Sequence, residues 1–72
     1  MKIFFKDLPN HSIQKLILCS IDMALYQALV VIDGEEHLVW KANRECLRAR
    51  SLMALRELFD GLDIPEAFLR HA

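Results

Sequence analysis

Three histidines and two cysteines are the side chains of this 72-residue chain best suited to hold a metal or carry a nucleophile. His11, His37 and His71 lie on three separate segments, and Cys19 and Cys46 are equally far apart. No pair has the C-x-x-C or H-x-x-x-H spacing that places two ligands on one metal. The expectation is therefore no metal, no cofactor and free, half-buried thiols. Catalytic patterns are equally sparse. There is no G-x-S-x-G, and the only two glycines cannot build a phosphate-cradling loop. Asp33, Glu35 and Glu36 are clustered carboxylates, but they flank a turn signal and read as a solvated hairpin tip. No catalytic residue is assigned, and the chain reads as a non-enzyme.

Arg44, Arg48, Arg50 and Arg56 form the one concentrated charge feature. On a strand Arg48 and Arg50 share a face and would offer two guanidinium forks to phosphate or carboxylate. Glu45, Glu57 and Asp60 lie near enough to neutralise them. Net charge is −1, with nine basic and ten acidic residues, which argues against a nucleic-acid or anionic-membrane protein. Trp40 and Tyr26 could stack on bases, although a Trp on a hairpin usually packs in a core.

The elements that would position these groups are set by the apolar pattern. Hydrophobic residues make up 54% of the chain, more than so small a globule can bury, so some apolar surface must meet a partner. Leu16 to Ile32 is too short for a comfortable membrane span and carries Asp22 near its middle, at a cost of about 2.5–3.5 kcal/mol. The stretch from Met1 to Lys6 is too short between charges for a secretory signal. The cytoplasm is the expected compartment, with no membrane contact.

Met1 to Leu8 is open between helix and strand. Ile13 to Ile21 reads as a strand with Leu16 and Leu18 on one side and Ile17, Cys19 and Ile21 on the other. Leu25 to Ile32 and Glu36 to Lys41 flank Asp33-Gly34, a strong signal for a type I′ hairpin turn. A tight turn there pairs Ile32 with Glu35, Val30 with His37, Leu29 with Leu38 and Gln27 with Trp40. Leu25, Leu29, Val31, Leu38 and Trp40 read as the core face. Tyr26, Ala28, Val30, Ile32, His37, Val39 and Lys41 form the other, still about half apolar.

Cys46 to Arg50 reads as a fourth strand. A helix follows between an N-cap at Ser51 and a C′ glycine at Gly61, with Leu55, Leu58, Phe59 and Leu62 buried. One continuous helix over Asn43–Leu62 fits the same leucines and is the competing pattern. Glu66 to His71 is a last strand or helical turn.

Ser20-x-Asp22-x-x-x-Tyr26-x-x-x-Val30-x-x-Asp33-Gly34, followed by Leu47-Arg48-x-Arg50-Ser51-Leu52 and Arg56, resembles an uncharacterised family of short gammaproteobacterial proteins. In that family a hairpin carrying Tyr and Asp-Gly leads to an L-x-x-R-S strand end and a helix. The resemblance implies a fold and no activity, and it supports a strand at Leu47–Arg50.

The expected architecture is one α+β domain over residues 1–72, an antiparallel meander of about four strands with one helix in the C-terminal half packed on one face. The expected function is a non-enzymatic interaction module that self-associates as a homo-oligomer, a homodimer first, through Tyr26, Val30, Ile32 and Val39. The alternative is a small nucleic-acid-binding accessory protein that uses Arg48 and Arg50.

Overall fold

The computed structural model describes residues 2–71. Asp33 at φ 53° and Gly34 at φ 79° make the turn that their types demand. It joins β3 (Leu25–Ile32) to β4 (Glu35–Ala42), in the register Ile32↔Glu35, Val30↔His37 and Leu29↔Leu38. The Gln14 side chain accepts a hydrogen bond from the Gly34 N–H at 2.9 Å, which ties the hairpin tip to the approach of β2 (Lys15–Asp22). β2 pairs antiparallel with β3, Leu16 opposite Val30 and Leu18 opposite Ala28.

Past Leu29↔Leu38 the hairpin forks. β4 continues to Trp40 and Ala42, but these residues pair with Cys46 and Glu45 of β5 (Glu45–Cys46). Tyr26 and Gln27 of β3 pair with Ala49 and Arg48 of β6 (Arg48–Ala49). The expected Gln27–Trp40 pair is not made, because residues 45–49 occupy the gap between the parted strands. Leu47, at the middle of this wedge, is buried in the core, and its N–H donates to Val39 O at 3.1 Å. The single fourth strand expected at Cys46–Arg50 is thus two short pieces flanking one buried leucine.

Two further strands close the sheet. β1 (Lys2–Phe4) runs parallel to β4 and β7 (Ala67–His71) runs parallel to β2. The order is β1-β4-β3-β2-β7, with β5 and β6 inside the fork. Over the described residues the fold is therefore a mostly β, seven-stranded mixed sheet with one small α-helix. It is not the four-stranded antiparallel meander that the hairpin pattern suggested. The physical reason is that β1 and β7 are short and join as parallel neighbours of strands far away in sequence. No local pattern encodes such pairing.

Ser51 caps α1 (Leu52–Glu57): its hydroxyl accepts from the Ala54 N–H at 3.1 Å. The helix ends sooner than Gly61. Successive tight bonds, Leu58 N–H to Leu55 O and Phe59 N–H to Arg56 O, carry the chain through turns instead. Gly61 is not at positive φ, so it is no αL cap. Leu55 and Phe59 are buried, but Leu58 is 46% exposed. A 3-10 helix, Phe5–Asn10, lies on the same side of the sheet, its Leu8 fully buried and its Phe5 ring meeting Phe59 edge-on at 5.4 Å. These pieces enclose one core whose fully buried side chains include Leu8, Val30, Val39 and Leu55. Among the described residues no helix is long and apolar enough to cross a membrane.

Candidate functional site

The structure inverts the two faces of the hairpin. Val30 and Val39 are fully buried, Ile32 is 9% exposed and Tyr26 packs half-buried against the same cluster. These four residues, expected as a self-association face, form the core under α1 and the 3-10 helix. Val30, Val39 and Ile32 offer almost no surface to a second chain, and Tyr26 only part of its side chain. The register held for the three pairs nearest the turn and failed at Gln27–Trp40, and the side was the opposite one. Both faces are apolar, so hydrophobic count alone does not decide which one the helices cover.

The opposite face carries Phe4, Leu29, Val31, Leu38 and Trp40, all half-buried. It is draped by the chain's own cations. Lys2 Nζ lies 4.6 Å above the Trp40 ring and 5.4 Å above Phe4, and Lys15 Nζ lies 5.5 Å above Phe68. Such long stems cover apolar surface while their charged heads stay in water. Arg70 adds a bidentate fork to Glu36, at 3.0 and 2.8 Å. Since β2 and β3 separate β7 from β4, this pair arches over both strands. Ile17 and Cys19, the two β2 residues beneath this arch, are buried, whereas Lys15 on the same face is exposed. The hydrogen bond from Arg70, helped by its charge, holds the Glu36 carboxyl below its ordinary range and, reciprocally, pushes Arg70 up.

Arg48 and Arg50 are not brought into one anion fork. Arg48 lies on β6 and lines a groove of about 700 Å³ with Arg44, Lys41, Trp40 and Leu58, whereas Arg50 sits past the end of β6 and outside it. Lys41 is partly neutralised by Glu45 at 3.7 Å. Both cysteines are free, and Cys19 is buried. Among the described residues no three of His, Cys, Asp and Glu converge as a metal site.

The surface that sequence reasoning missed lies at the other end of the sheet. β7 is an edge strand, and all five of its residues are exposed. Phe68 is 47% exposed on one side and Leu69 49% on the other, beside Met53 of α1 at 71%. Leu18, Leu52, Met53, Ala67 and Leu69 line a shallow, mostly apolar groove of about 480 Å³ between α1 and the strand. Two adjacent exposed hydrophobics on an unpaired edge are uncommon, because edges are normally blunted with Lys, Pro or a bulge. The sequence held one hint, the apolar pair Phe68-Leu69 in a segment open between strand and turn.

Compared with known proteins, residues 1–72 match the model of a family described as a family of unknown function, DUF6482. No curated protein and no solved structure matches the chain.

Proposed function

The chain belongs to that family of unknown function, and from its surface we propose that it is a non-enzymatic interaction module that self-associates. The observation that carries the reading is the cluster of exposed Met53, Phe68 and Leu69 around the free edge of β7. Exposed apolar side chains on both sides of an unpaired strand edge mark a contact site. The module works without a cofactor and in the cytoplasm, a reading supported by two free thiols. Light scattering at concentrations from about 1 μM to about 1 mM, a span that brackets weak and tight dimers, tests self-association. A mass rising toward twice that of the chain supports it, and a monomer throughout removes it.

A second reading is favoured by the basic groove. Arg44, Arg48 and Lys41 beside Trp40 combine cations with a stacking surface, the pairing that single-stranded nucleic acids use. Titration with a fluorescent oligonucleotide at two salt concentrations separates the readings. Phosphate contacts weaken steeply with salt, whereas apolar self-association does not.

A further inference from the structure

We propose that the partner at the β7 edge is a second copy of this chain, joined strand to strand in antiparallel register about Leu69. This deepens the self-association reading and rests on it. The backbone supplies the first argument. Leu16 N–H donates to Glu66 O at 2.9 Å, so the peptide groups of Glu66 face β2. Backbone groups alternate sides along a strand, so those of Phe68 and Arg70 also face β2. The N–H and C=O groups of Ala67, Leu69 and His71 therefore point away from the sheet, toward an edge that no other strand occupies among the described residues.

A two-fold axis at Leu69 uses all of these groups at once. Leu69 exchanges both hydrogen bonds with the partner's Leu69, Ala67 does so with the partner's His71, and His71 with the partner's Ala67. A slip of two residues leaves an outward pair at each end unmatched. The symmetric register is thus the one that satisfies the edge completely, and an isologous contact closes with two chains.

Side chains agree with that register. On the open face Phe68 comes opposite the aliphatic stem of the partner's Arg70, whose guanidinium is turned inward to its own Glu36, and no like charges stand directly opposite each other in the paired strands. Within its own chain each Arg70 is already held by Glu36, which fixes the guanidinium over the sheet. On the α1 face Leu69 comes beside the partner's Leu69, next to the groove formed with Leu52 and Met53. The opposite edge of the sheet, β1, spans three of the described residues and is a shorter template.

The test substitutes the axis. In Leu69→Pro the proline removes an N–H that points to solvent in the monomer, a position where edge strands tolerate it. Leu69→Lys keeps the N–H and places a blunting charge on the edge. Light scattering over the concentration series follows association, circular dichroism follows the fold, and amide exchange follows Leu69 in the unmodified chain. The expected result is a concentration-dependent dimer whose Leu69 amide exchanges at least tenfold more slowly at the high end. Leu69→Pro is then folded and monomeric. If it fails to fold, Leu69→Lys decides by remaining monomeric. A folded variant that still dimerises, or a Leu69 amide equally exposed at both ends, overturns the strand pairing and leaves self-association standing. An unmodified chain that is monomeric throughout overturns both.

Discussion

Gly34 stands at φ 79° with nothing within 4 Å of where a Cβ would sit, so its requirement is purely conformational. Gly34→Val should lower stability by about 1–2 kcal/mol, the cost of left-handed backbone for an L-residue. A shift in urea midpoint at constant m checks it. At Glu36 the charge state matters instead. Its carboxyl is held below its ordinary value by Arg70, so the folded chain binds fewer protons there than the unfolded one. That contribution is present in full above the ordinary carboxylate range and fades as pH falls through it. Urea midpoints measured at a series of pH values should show this acid-side loss, and Glu36→Gln should flatten it. An identical pH profile for the variant counts against the bridge. The Asp-Gly turn and the Ser51 cap were legible in the sequence because each depends on the chemistry of one or two residues. The Arg70–Glu36 pair was not, because it joins strands that are not neighbours in the sheet.

α1 has only six residues, too few to hold themselves in a helix. Its cap and its one fully buried side chain, Leu55, therefore matter more than its propensities. Ser51→Ala should cost about 1 kcal/mol, and thermal melts compared with Ser51→Thr, which keeps the hydroxyl, isolate the cap. Leu55→Ala should cost about 2–5 kcal/mol through lost burial and a cavity. The same scale explains the inverted faces. Leu29, Val31, Leu38 and Trp40 were as plausible a core as Val30, Ile32 and Val39. The choice is made by the side on which the 3-10 helix and α1 fall, a fact held in the connections and not in the strands. For Val30→Glu the structure accordingly predicts loss of the folded state at any concentration, since the carboxylate enters the core. A folded monomeric variant with native circular dichroism would return Val30 to the surface.

Across the whole molecule, the hairpin and β2 were legible and the outer strands were not. β1 and β7 are defined only by what they join: Lys2 meets Leu38, and Leu16 meets Ala67. These pairings have a kinetic consequence. The Asp33-Gly34 hairpin can form from its own neighbourhood, whereas both borders of the sheet wait for loops of several tens of residues to close. Until they do, β2 and β4 present bare ladders flanked by apolar side chains. Refolding is thus a race between intramolecular closure, which is independent of concentration, and capture by another chain, which is not. Dilution from urea at increasing protein concentration should give a constant folding rate but a falling yield of native protein. Preformed hairpin should leave that yield unimproved, because the vulnerable interval begins after the hairpin is made.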